Sequence, residues 1–362
     1  MQLRPIQQEA KEAILSSFKK GGTYHLAVEP VSFGKTILAS ALMETALMEH
    51  GAKCLFLAHL QELVLQTHDK FVKVAPHLAH KVGIYHAGSN RKEVADITIG
   101  SRQSVARGLS NFDSMNLIII DEVHLLSDEG EYDAIIDHFL SLNPRLRVLG
   151  VTGTPFRLKT GMIYGQGKRF SEPCHRTTMK DMIDVGYLSP FRYKMKVDSQ
   201  LLDELEQVKV VGGEYNNGQL GDVVSEPIHM KSVLRAIEEY GSDRKHIIVF
   251  ATNIAHAESL SSVLGYKCVH SQLDKHEIRK RIDDFKEGRE RILVNVNVLS
   301  IGFDAPLIDC IVLARPTLSP AVYVQQIGRS LRRHVCADSL YEKYLQKRAL
   351  AVQSKSSIGS CT

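Results

Sequence analysis

The 362-residue chain contains no tryptophan, and aromatic residues make up 7% of it, too few for a broad platform of stacked rings. No apolar run approaches the ~20 residues that a membrane-spanning helix requires. The opening Met1-Gln2-Leu3-Arg4-Pro5 lacks the apolar stretch of a signal peptide, so a cytoplasmic protein without a membrane partner is expected. Six cysteines, Cys54, Cys174, Cys268, Cys310, Cys336 and Cys361, include no C-x-x-C pair. That scatter reads as reduced, mostly buried thiols rather than a zinc site or a disulfide framework. Charge is not lopsided either: 45 Lys and Arg against 41 Asp and Glu give a net +4, which is compatible with a polyanionic partner but does not demand one.

What the chain does have is a recurring alternation. Short apolar, β-branched runs at 26–29, 53–58, 81–85, 96–100, 117–120 and 147–152 are separated by segments of helical period. That pattern reads as β and α units over a parallel sheet. Leu60, Leu63, Val64, Thr67 and Phe71 share one face of such a helix. A second series places strands at 191–197, 246–251, 267–270, 291–296 and 310–314, with a helix over 274–287 that would bury Ile278, Ile282 and Phe285. Length and pattern together predict two α/β domains, 1–190 and 227–335, with a connector or insertion at 191–226 and a polar tail at 336–362.

Four short segments carry chemistry. Gly34-Lys35-Thr36 follows a strand and opens an apolar helix, which would converge backbone amides on a phosphate. Lys35 would reach the outer phosphates, and the Thr36 hydroxyl would ligate Mg²⁺. Upstream, Glu29 stands where the G-x-x-x-x-G-K-T pattern has its first glycine, and Ser32 occupies a position where glycine eases close approach to phosphate. An inward-pointing Glu29 would repel a nucleotide. Asp121-Glu122-Val123-His124 ends the apolar run Leu117-Ile118-Ile119-Ile120, and ligands bind at strand C-termini in open α/β sheets. There Asp121 would hold Mg²⁺, and Glu122 would orient and activate water. Thr152-Gly153-Thr154-Pro155 ends another strand and offers two hydroxyls. Gln325-x-x-Gly328-Arg329-x-x-Arg332 places two guanidinium groups on one helix face, suited to charge on a transferring phosphoryl group.

With these residues in this order, the chain resembles the superfamily 2 DEAD/DEAH-box helicases, most closely the RadD (YejH) type of bacterial DNA-repair ATPase. The likeness spans about residues 3 to 333. It implies two tandem RecA-like parallel-sheet domains with an ATP site in the cleft between them. It assigns catalytic roles to Lys35, Asp121, Glu122, Gln325, Arg329 and Arg332. Nucleotide contacts would come from Gln7, reading the base, and from Ser32, Phe33, Gly34, Thr36, Gly302 and Asp304. His59, Ser101, Gln103, His124, Thr152, Thr154, Thr252 and Asn295 fall in segments that border nucleic acid or couple it to the nucleotide. ATP and Mg²⁺ are the implied cofactors, and nucleic acid, DNA rather than RNA, the implied partner. A monomeric DNA-repair motor is expected. Two alternatives remain open: a nucleic-acid-binding module that no longer hydrolyses ATP, and the motor subunit of a restriction or defence assembly.

Overall fold

The computed structural model describes residues 3–58, 61–126, 130–157, 161–194, 199–298, 308–328 and 331. They divide into two compact units that meet in sequence at Leu188 and Ser189. In the first unit α1 (Pro5–Lys20), β1 (Tyr24–Val28), α2 (Lys35–His50), β2 (Cys54–Ala58) and α3 (Gln61–Val74) come first. They are followed by β3 (Val82–His86), the short β4 (Arg91–Lys92), β5 (Ile97–Ser101), α4 (Arg102–Arg107) and β6 (Leu117–Asp121). Then come α5 (Glu131–Leu142), β7 (Arg147–Thr152), the small hairpin β8 (Phe156–Arg157) and β9 (Gly161–Met162), β10 (Pro173–Arg176) and α6 (Met179–Asp184). Eight strands form one sheet in the order β10-β1-β7-β6-β2-β5-β3-β4. Every pairing is parallel except β3 with β4.

The strands are continuous apolar runs because helices cover both faces of a parallel sheet. All five residues of β2, Cys54-Leu55-Phe56-Leu57-Ala58, are buried. On α3, Val64, Thr67 and Phe71 are buried and Leu63 is half-buried, as its helical spacing predicts; Leu60 lies outside the described residues. Helix α1 starts at Pro5, a residue whose missing amide costs nothing in a first turn, and stops at Gly21 with φ of 91°.

In the second unit, the segment expected as a connector or insertion has a small fold of its own. Helices α7 (Ser199–Glu206) and α8 (Asn217–Val224) flank a hairpin of β11 (Val210–Val211) and β12 (Glu214–Tyr215). Leu205, Val208, Leu220 and Val224 close a small core of their own. Beyond it come α9 (Pro227–Tyr240), β13 (Ile247–Phe250), α10 (Ile254–Leu264), β14 (Cys268–Val269), α11 (Lys275–Lys286), β15 (Ile292–Asn295), β16 (Cys310–Leu313) and α12 (Pro320–Ile327). The four strands from β13 onward pair in parallel in the order β14-β15-β13-β16. Alternation along β13 sends Ile247 and Val249 into one core with Ala257 and Leu260 of α10. It sends Ile248 and Phe250 into another with Phe285 of α11. Phe285 is fully buried, whereas Ile278 and Ile282 are only half-buried.

Over the described part of the strand expected at 191–197, no strand forms. Residues 191–194 have no regular structure, and Phe191 and Tyr193 are 49% and 57% exposed; 195–198 lie outside the described residues. Alternating aromatic and basic side chains gave the segment a strand-like period without a core to bury it. Conversely, β10 was not expected, because Pro-Cys-His-Arg carries no apolar pattern. It is held by its pairing with β1 at the sheet edge.

Candidate functional site

Sheet order and register gather the first-unit motifs. Strand β7 lies between β1 and β6, with Thr152 opposite Val28 and Val151 opposite Asp121. The loops after β1, β6 and β7 therefore leave the same C-terminal edge at the same level, where open α/β sheets bind ligands.

The loop after β1 turns through two left-handed residues, Ser32 with φ of 67° and Gly34 with φ of 93°. Glycine adopts that region freely and other residues pay for it, which explains why glycine is the usual residue at the position of Ser32. Gly34 is fixed by space as well: a Cβ there would lie 2.5 Å from Gln7 Nε2. Gln7 is 2% exposed. Its carbonyl accepts from the Arg4 amide at 3.0 Å, and its Nε2 donates to the Phe33 carbonyl at 2.8 Å. The side chain expected to read a base thus braces the loop from behind, and the Phe33 ring is fully buried. Helix α2 starts at Lys35 with no side-chain cap; the Ile37 amide donates to the Gly34 carbonyl at 2.9 Å, which leaves the Lys35 and Thr36 amides as the first-turn donors without an intrahelical acceptor.

Lys35 Nζ lies 3.3 Å from Glu122 Oε1, and both side chains are about 15% exposed (15% and 14%). Burial disfavours the charged Lys35, but Glu122, Asp121 and Glu29 outweigh it, and the ammonium titrates above its ordinary value. Burial and the Glu122 charge push the Asp121 carboxyl up to about 6, against the opposing pull of Lys35. Glu122 shifts the other way: burial alone would raise it, yet Lys35 and His124 hold it well below the usual carboxylate range. The two neighbouring acids are thereby differentiated, one easily protonated and one firmly ionised. Glu122 itself has left-handed backbone, φ 48°.

A hydroxyl network backs this pair. Thr152 Oγ1 donates to Glu122 Oε2 at 3.2 Å and accepts from the Thr154 amide at 3.1 Å. His124 Nδ1 lies 2.9 Å from Thr152 Oγ1, 3.3 Å from Thr154 Oγ1 and 3.4 Å from Glu122 Oε2. Arg157 Nε donates to the His124 carbonyl at 2.7 Å. Lys35, Asp121, Glu122, His124, Thr152 and Thr154 are thus one connected constellation. Its chemistry fits a nucleotide phosphate and a hard divalent cation. It offers an uncapped helix start beside a lysine, and the Asp121 carboxylate beside Glu122 at the end of β6. Thr36, half-buried on the first turn of α2, would offer such a cation a hydroxyl.

Ser101 caps α4, accepting from the Ser104 amide, and Gln103 is exposed on the same helix. In the second unit Thr252 lies two residues beyond β13 and Asn295 ends β15, and they are 2% and 0% exposed. The Thr252 amide donates to His256 Nδ1 at 3.3 Å, and burial holds that ring down at about 4 and hence neutral. Ser101, Thr252 and Asn295 are thus all buried among the described residues. Gln325 is half-buried on α12. His59, Gly302, Asp304, Arg329 and Arg332 lie outside the described residues. One partnership escaped the sequence reading: the Glu29 carboxylate is fully buried and meets His175 on β10, 146 residues away, with no motif to announce it.

Residues 1–157 match the family model of the type III restriction enzyme res subunit, and residues 229–334 match that of the helicase conserved C-terminal domain. The chain belongs to the superfamily 2 helicases. Among curated proteins it is 29% identical to the "Putative ATP-dependent helicase IRC3" of Saccharomyces cerevisiae, over 93% of this chain and 50% of that protein. It therefore spans about half that relative's length. Among solved structures it resembles LlaBIII, an ATP-dependent type ISP restriction-modification enzyme bound to DNA. That match has a TM-score of 0.65 at 17% identity and covers 93% of this chain and 27% of that one. It also resembles Saccharomyces cerevisiae Dbp5 bound to RNA and ADP BeF3, at a TM-score of 0.57 and 19% identity, covering 90% and 80% of the two chains. At such identities the structural likeness speaks for the fold: mostly parallel α/β sheets of the RecA-like kind.

Proposed function

We propose that the chain is an ATP-dependent nucleic-acid motor that acts on DNA. The observation that carries the reading is the 3.3 Å contact of Lys35 with Glu122 at the edge of the parallel sheet. It joins the phosphate-binding turn to the acidic box. In this reading Lys35 binds the outer phosphates, and Thr36 and Asp121 hold Mg²⁺. Glu122, already ionised, orients water and takes its proton. Bound Mg²⁺ supplies neutralisation of phosphate charge. Thr152, Thr154 and His124 tie Glu122 to the loop after β7. Gln325, Arg329 and Arg332 are assigned to the transferring phosphoryl group by their motif alone. The helicase named among the relatives and the DNA-bound restriction enzyme among the structures both support the motor reading.

The test is an ATPase titration with single-stranded DNA, forked DNA and RNA at fixed salt, with Lys35→Ala as control. DNA-stimulated turnover lost in the variant supports the reading; turnover indifferent to every nucleic acid overturns it. Membership of the RadD type of repair ATPase rests on the residue pattern, and a preference for forked or single-stranded DNA supports it. The res-subunit match over residues 1–157 favours a second reading, the motor of a restriction assembly. Turnover that appears only with an added nuclease subunit would select it.

A further inference from the structure

We propose that Glu29 and His175 form a buried clamp that positions the phosphate-binding loop, with the His175 ring holding a carboxylate that replaces the loop's first glycine. The proposal rests on the nucleotide reading above. Glu29 is 0% exposed, and its Oε1 lies 2.6 Å from His175 Nδ1. The clamp assigns Nδ1 the role of donor, since a carboxylate without a proton only accepts. His175 reaches it because β10 runs parallel to β1 with a register irregularity after Leu26, which brings His175 opposite Ala27.

The backbone at Glu29 is held from the other side. Its amide donates to the Thr152 carbonyl at 2.8 Å. Its carbonyl packs so closely on Gly153 that a Cβ there would sit 3.1 Å away, with the Val31 amide at 3.4 Å. The start of the loop is therefore gripped between β7 and β10. Glu29 Oε2 is buried without a partner, so the His175 contact is the side chain's single described hydrogen bond. A buried carboxylate is tolerated only when paired and hydrogen-bonded. Loss of His175 would free a carboxylate at the base of the loop, to seek water or Lys35 and compete with phosphate.

Four variants test this: His175→Leu, His175→Gln, Glu29→Gln and the double Glu29→Gln/His175→Leu. KM and kcat for ATP are measured for each, with hydrogen exchange at the amides of residues 31–34 in protein without nucleotide. Removing the donor alone should raise KM about tenfold, the scale of an unsatisfied buried group, with kcat changed far less, and should speed loop exchange. His175→Gln, which retains a donor, should keep most of the affinity. The double variant should recover both KM and exchange protection, because the charge needing a partner is gone. Equal loss with and without Glu29, or no effect of His175→Leu on either readout, overturns the clamp. Should the wild type bind no nucleotide, the proposed function fails, and the exchange arm still decides the clamp.

Discussion

Lys35 Nζ and Glu122 Oε1 stand 3.3 Å apart, each the other's principal counter-ion. One belongs to the first turn of α2 and the other follows β6, so the contact spans the edge of the sheet above β7. In the proposed function, a phosphate that takes Lys35 would release Glu122 from it, so that ligand binding would rearrange the ion pair.

Separating the two roles gives the first prediction. Lys35→Ala removes the phosphate ligand and should weaken ATP binding together with turnover. Glu122→Gln keeps the hydrogen-bonding shape and should leave nucleotide affinity within a few-fold while turnover falls by about 10² or more, as for loss of a preorganised polar group. Nucleotide titration beside steady-state ATPase checks this. Equal loss of affinity in both variants would show that Glu122 serves binding rather than chemistry.

Asp121 makes the site pH-sensitive. Its carboxyl is pushed up to about 6 by burial and by Glu122, and a cation must displace the proton to use it. Mg²⁺-dependent nucleotide affinity should be flat above pH 7 and fall as pH drops through about 6, by up to about tenfold per unit. Asp121→Asn should flatten the profile. The stability sign is separate: a raised acid favours the folded state at low pH, and that contribution is lost as pH rises toward 6. Calorimetric titration at pH 5.5 to 8 reads the binding effect; a profile unchanged across that range would contradict it.

Gly34 tests the geometry of the turn. Any side chain there meets φ of 93° and Gln7 Nε2 at 2.5 Å. Gly34→Ala should cost about 1–2 kcal/mol through the left-handed backbone and should displace Gln7, abolishing measurable nucleotide binding. Adding Gln7→Ala relieves the clash but not the backbone, so stability should recover only in part. Thermal melts of the single and double variants distinguish the two contributions.

Much of this was written in the chain, for a physical reason. Strands buried on both faces must be apolar throughout, so β2, β6 and β7 announce themselves. The residues around the phosphate turn and acidic box are contiguous because each motif is one strand end. What stayed hidden depends on register. Strand β10 has no hydrophobic signature, and its edge position places His175 beside Glu29 only after the sheet has formed. The burial of Ser101, Thr252 and Asn295 is likewise a property of packing, not of motif.

Thr152 offers the last test, of whether the hydroxyl network only stabilises the site or also transmits through it. It is 0% exposed, donates to Glu122 Oε2 at 3.2 Å, accepts from the Thr154 amide and sits 2.9 Å from His124 Nδ1. Thr152→Val keeps the volume and deletes the hydroxyl, leaving the Thr154 amide and one Glu122 oxygen short of a partner. Such losses cost about 1–3 kcal/mol each at buried groups, so the melting point should fall. If the network also couples nucleic acid to Glu122, DNA stimulation of ATPase should drop by much more than the basal rate. Parallel loss of basal and stimulated turnover would mean that Thr152 only props Glu122, and coupling would have to run through other residues.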